Sequence, residues 1–126
     1  MPTTSSRKSK FRPWDVVLVP FPYSDQPRTK VRPAVVVSSV KLSDATGMYY
    51  VAMITNAAHV PWAGDVPVSD VAAAGLPIPS VVRTAKIATI DEQALIRPLG
   101  SLPKQDRTRV SAACKNFLAF RPTEAP

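Results

Sequence analysis

Three apolar runs set the rhythm of the first half of the chain: Val16 to Val19, Ala34 to Val37, and Tyr49 to Ile54, the last closed by Thr55. Each has the length of one strand, and their β-branched content and proline boundaries favour extended structure over helix. The runs are continuous rather than alternating. That pattern suits strands buried on both faces, as when a sheet curls into a small barrel. Further strands are expected over Ser80 to Arg83, Lys86 to Ile90 and near Leu95 to Arg97, with a turn beginning at Asp91. A polar link containing Asp44 and Gly47 leads into the third run. Asn56 to Pro67 reads as a loop with a short strand start, and Val71 to Ala74 as one helical turn ended by Gly75.

One helix is expected, starting near Pro103 with Ser101 or a neighbour as its cap. Val110, Ala113, Cys114, Phe117 and Leu118 recur at helical spacing and define an apolar face, while Lys104, Arg107, Arg109 and Lys115 occupy the other. Fourteen prolines against four glycines disfavour further long helices. The expected fold is therefore mainly β, of α+β type, in one domain over residues 11–120. A flexible basic tail over 1–10 and a short tail over 121–126 flank it.

Charge adds a partner to this picture. A formal net charge of +7 suggests an anionic ligand, with nucleic acid the first candidate. Arg7, Lys8, Lys10 and Arg12 lie in or beside the N-terminal tail. Arg28, Lys30 and Arg32 cluster between the first two strands, which fix their position. The single cysteine, Cys114, excludes an intramolecular disulfide and any multi-cysteine metal site. No apolar signal-peptide core or membrane-length run occurs, so a cytoplasmic address is expected.

Candidate chemistry is narrowed by what is missing. His59 is the only histidine, so a His acid–base pair within one chain is excluded. No HExxH, glycine-rich phosphate loop or GxSxG elbow is present. Chemistry built on Arg, Thr, Ser and backbone donors remains, with no metal or cofactor. Single-stranded RNA suits it, because the 2′-hydroxyl can attack its own neighbouring phosphate. The protein need only orient the phosphate, stabilise its charge and move two protons. Arg32, held extended by Pro33, is a candidate for charge stabilisation, and the Thr55 hydroxyl for orientation. Residue type alone favours a surface ion pair with Asp25 or Asp15 for Arg32, and a plain strand role for Thr55. His59 is open to a surface role, and Trp14 and Trp62 to core packing as much as to base stacking.

The segment Asp15-Val-Val-Leu-Val-Pro-Phe-Pro22, followed by Lys30-Val-Arg-Pro-Ala-Val-Val-Val-Ser38, resembles the MazF/PemK toxin family. Met53-Ile-Thr-Asn56, Gly64-Asp-Val-Pro67, Gly75-Leu76, Ser80-Val-Val-Arg83, Ile87-Ala-Thr-Ile-Asp91 and Leu99-Gly-Ser-Leu102 follow in matching order. The resemblance covers roughly residues 11–119. It implies an SH3-like small β-barrel with short helices and a C-terminal helix, assembled as a homodimer. It further implies a sequence-specific, metal-independent endoribonuclease neutralised by an antitoxin with an acidic disordered segment. Catalytic roles then fall on Arg32 and Thr55, and, as in some relatives, on Arg83. Arg28, Thr29, Lys30, Asn56, His59 and Lys86 are the candidate RNA contacts. Three departures stand out: Ala85 replaces an aspartate proposed as base in some relatives, which leaves the base open between His59 and a carboxylate such as Asp25; Trp14 replaces a common glycine, and Asn56 a residue often small. The alternatives are a catalytically weakened homologue that binds RNA or antitoxin, and a gyrase-poisoning toxin of the same fold.

Overall fold

The apolar runs form neighbouring strands of a single sheet. In the computed structural model, which describes residues 8–21 and 30–119, these are β1 (Asp15–Phe21), β2 (Lys30–Val36) and β3 (Met48–Asn56). The sheet is completed by β4 (Asp65–Pro67), β5 (Ser80–Asp91) and β6 (Arg97–Ser101). The strand order is β4-β5-β3-β2-β1-β6, and every pairing is antiparallel. Two helices accompany it, α1 (Val40–Thr46) and α2 (Lys104–Asn116). The expected mainly β fold with a C-terminal helix is observed. Arg28, Thr29, Asp25 and most of both expected tails lie outside the described residues.

Continuous apolar runs make sense because both faces of the central strands are covered. Side chains alternate along a strand. Val17, Val19, Ala34, Val36, Val51 and Met53 join one core with Phe11, Tyr49, Ile90 and Leu95. Their neighbours Val16, Val35, Ala52 and Ile54 join a second core with Val82, Leu102 and Val110. Helix α2 covers the second core through Val110, with Ala113 and Cys114 packed against it. Burial pushes the Cys114 thiol pKa up. The other two residues of its expected apolar face, Phe117 and Leu118, lie beyond the last helical turn and stay exposed.

Local chemistry explains where the structure departs from the sequence pattern. The polar link before β3 is helix α1. Ser39 caps its start by accepting from the Lys41 amide, and Gly47 closes it at φ 76°. The two strands expected over 80–83 and 86–90 are halves of one strand. The β3–β5 register jumps from Ala52↔Ile87 to Met53↔Arg83, so Thr84, Ala85 and Lys86 bulge from the ladder. The expected strand near Leu95 begins later, at Arg97, after a 3₁₀ turn over Glu92–Ala94.

Helix α2 carries no side-chain cap; Pro103 occupies that position, and Ser101 instead accepts from Arg107. The fully buried Asp106 stands in the first turn of α2, where a carboxylate suits the helix dipole. It accepts from the Ser69 amide and hydroxyl and from Arg109. The end of the basic tail is also fastened. Ser9 donates to Asp44, and the Lys10 and Phe11 amides donate to the Tyr49 hydroxyl. Trp14, just before β1, adopts φ 77°, a conformation that favours glycine.

Candidate active site

The site is built where the β2–β3 ladder ends. That ladder runs from Val36↔Val51 to Ala34↔Met53. Two residues further along the same register come Arg32 on β2 and Thr55 on β3, just past the last pair. Beyond them a depression of about 710 Å³ opens, with an apolar floor that includes Leu18, Ile54 and Leu76. Arg32, Thr55, Asn56, His59, Ser80 and Arg97 are the polar residues that line it. The volume lies within the usual range for pockets that take small-molecule-sized groups, such as one nucleotide.

Arg32 and Arg97 reach the depression from opposite sides of β1. Arg32 pairs with Val19 and Arg97 with Leu18, on the two neighbouring strands. Strand pairing thus brings two arginines that are far apart in the chain to the lining of one depression. Thr55 is buried, and its hydroxyl lies 2.9 Å from Nδ1 of the exposed His59. The turn between them is itself built. The Asn56 side-chain carbonyl accepts the Ala58 amide, and the Asn56 backbone carbonyl accepts the His59 amide. The Ala57 amide in turn donates to the Pro79 carbonyl.

Arg83 lies elsewhere. It sits opposite Asp65 in the β4–β5 ladder, and its guanidinium forks onto that carboxylate at 3.1 and 2.9 Å. A third bond goes to the Val60 carbonyl, and the guanidinium lies 4.4 Å from the Trp62 ring centroid. The side chains of Arg83 and Asp65 are 6% and 11% exposed. Burial raises the Asp65 pKa, but hydrogen bonds from Arg83 and the Trp62 amide, with the Arg83 charge, outweigh it. The carboxyl ends below its ordinary range. Arg83 therefore pins the loop that carries His59 and lies outside the depression lined by Arg32 and Thr55.

The other expected contacts divide in the same way. Asn56 and His59 line the depression, whereas Lys30 and Lys86 do not. Lys30 opens β2 at an exposed position, and the Lys86 ammonium lies 5.9 Å from the Trp62 ring. Arg28 and Thr29 fall outside the described residues. Ala85, exposed in the bulge of β5, offers no proton acceptor. Two residues escaped the sequence reading. Arg97 shares the Arg-Pro dipeptide of Arg32, but that dipeptide also occurs at Arg12 and Arg121 and singles out neither. Asp65 stood within the matched motif Gly64-Asp-Val-Pro67 with no role assigned to it. Among the described residues, no three His, Cys, Asp or Glu side chains gather as a metal site, and no helix is long and apolar enough to cross a membrane.

Comparison with known proteins adds family information. Residues 12–118 match the sequence family of PemK-like, MazF-like toxins of type II toxin-antitoxin systems. No curated protein matches the chain in sequence. Among solved structures, Deinococcus radiodurans MazF superposes with a TM-score of 0.70 at 19% identity, covering 87% of this chain and 97% of its own. Mycobacterium tuberculosis toxin MazF-mt6 gives 0.64 at 24% identity, covering 81% and 93%. A mycobacterial endoribonuclease solved in complex with its cognate antitoxin gives 0.69 at 17% identity, covering 88% and 97%. At these identities the structural likeness concerns the fold.

Proposed function

Because the chain belongs to the family of PemK-like, MazF-like toxins of type II toxin-antitoxin systems, we propose that it is a sequence-specific, metal-independent endoribonuclease acting on single-stranded RNA. The observation that carries this reading is the meeting of Arg32, Thr55 and Arg97 in one depression. In this reading the Arg32 guanidinium donates to the non-bridging oxygens of the scissile phosphate, where charge grows in the transition state. The Thr55 hydroxyl donates a further bond and fixes the orientation of that phosphate. Arg97 holds a flanking phosphate. The substrate's 2′-hydroxyl attacks, giving a 2′,3′-cyclic phosphate and a free 5′-hydroxyl. Asn56 and Ser80 edge the same depression and are suited to contact a base.

The domain proper comprises residues 11–120 in this proposal, and its cellular address is the cytoplasm, where messenger RNA is translated. Two partners follow. A second copy of the chain is the first, and the apolar face formed by Tyr50 and Ile87 with Phe117 and Leu118 is its proposed seat. These four side chains are 44–56% exposed on the single chain. An antitoxin with an acidic disordered segment is the second, favoured by the net charge of +7 and by the relative solved with its cognate antitoxin.

The test is incubation of the purified protein with long single-stranded RNA in EDTA, followed by mapping of the new ends. Discrete cuts with 2′,3′-cyclic phosphates are expected. Ala85 favours one competing reading, a homologue that binds RNA or antitoxin without cutting. Intact RNA that is still bound by folded protein would support it. Inhibition of a topoisomerase with RNA left intact would instead indicate the gyrase-poisoning alternative.

A further inference from the structure

Transesterification needs a group that takes the proton of the 2′-hydroxyl, and neither a guanidinium nor a threonine hydroxyl does this well at neutral pH. Among the described residues, no aspartate or glutamate lines the depression. Asp65, the carboxylate in the strand just after this loop, is engaged by Arg83. His59 does line the depression, and its Nδ1 meets the Thr55 hydroxyl at 2.9 Å.

We propose that His59 is the general base of the cleavage, oriented by its hydrogen bond to Thr55. The proposal rests on the ribonuclease reading above. A hydrogen bond to one ring nitrogen selects the role of the other. When Nδ1–H donates to Thr55 Oγ1, the neutral ring presents the lone pair of Nε2, and the Thr55 proton is left to donate to a phosphate oxygen. One threonine thereby links the phosphate to the base and sets the geometry of both.

The step balances. Nε2 takes the 2′-hydroxyl proton as the 2′-oxygen forms its bond to phosphorus. The bond from phosphorus to the 5′-oxygen breaks, and a solvent water protonates the departing oxygen. The imidazolium then returns its proton to solvent. The ring is held for this task rather than free on the surface. Its loop is tied by the Asn56 turn at one end, and by the bond from Arg83 to the Val60 carbonyl immediately after His59. Among the described residues, Arg32 from β2 and Arg97 from β6 are the charged residues that line the depression with it.

The test compares wild type, His59→Ala and Thr55→Val on RNA in EDTA from about pH 5 to pH 8. Thermal unfolding verifies the fold, and RNA binding is measured separately. Wild-type kcat/KM is expected to rise with pH through one ionisation. His59→Ala should lose about 10²-fold or more, keep RNA binding, lose that rise, and recover part of its rate with added imidazole. Thr55→Val should lower the rate and displace the midpoint of the rise. Equal cleavage by wild type and His59→Ala with the same pH profile would overturn the proposal and leave the ribonuclease reading standing. A loss in His59→Ala with an unchanged profile and no imidazole rescue would also overturn it, making the residue structural. Wild-type protein that binds RNA without cutting it would remove the ribonuclease reading, and the general base with it.

Discussion

Arg32 and Arg83 are the same residue type in opposite circumstances. Arg32 faces a depression, while Arg83 spends its donors on Asp65 and Val60 inside the protein. Their substitutions should therefore fail differently. Arg32→Ala is expected to lower RNA cleavage by at least ~10²-fold, about 3 kcal/mol, the scale of one lost transition-state donor. Its unfolding transition should match wild type, and cleavage assays beside urea denaturation check both halves. Asp65→Asn should instead destabilise the fold by about 3 kcal/mol, because it leaves a buried guanidinium without its countercharge. The pH sign follows from the depressed carboxyl of Asp65. Stability from the pair is complete above the pH at which an unfolded aspartate ionises, and is lost as pH falls through the lower folded value. Urea midpoints measured on acidification should drop more steeply for wild type than for Asp65→Asn.

At the scale of elements, the strands were readable and their interruptions were not. Apolar runs announce burial, so β1, β2 and β3 could be placed from periodicity alone. The bulge at Thr84 to Lys86 has no periodic mark, since it arises from what β3 and β4 demand of β5 on opposite edges. Helix α1 had its signals in Ser39 and Gly47, but seven residues are too few to show an apolar stripe. The turn over residues 71–75 matters more than its length suggests, because its last residue, Gly75, and Leu76, Pro77 and Ile78 after it line the depression. Gly75 there has φ 74°, and a Cβ on it would meet the Leu99 carbonyl oxygen at 2.0 Å. Gly75→Ala should therefore cost about 3 kcal/mol, the sum of left-handed strain and overpacking. A lowered melting temperature together with weakened RNA binding is the expected observation, since wall and core share this contact.

For the molecule as a whole, charge and apolar surface are divided between different regions. The depression gathers Arg32 and Arg97, whereas the face bearing Tyr50, Ile87, Phe117 and Leu118 gathers exposed hydrophobic side chains. Ile87→Glu should place a charge in the proposed self-association surface and weaken it by about 2 kcal/mol or more. Sedimentation would show a dimer for wild type and a monomer for the variant at equal concentration. A monomeric wild type would remove this surface from the proposal.

The sequence by itself determined the class of fold, the three central strands and the C-terminal helix, and the family resemblance pointed to Arg32 and Thr55, on which the proposed chemistry rests. These are properties of local pattern: burial on two faces writes continuous apolar runs, and a proline after Arg32 extends the backbone at that point. Tertiary structure alone decided which polar groups share a space. Strand pairing set Arg32 and Arg97 on the two strands that flank β1, and a cross-strand pairing drew Arg83 onto Asp65. A turn four residues long folded His59 back onto Thr55. Such meetings depend on distances between segments remote in the chain or on the shape of a loop, and hydrophobic periodicity records neither.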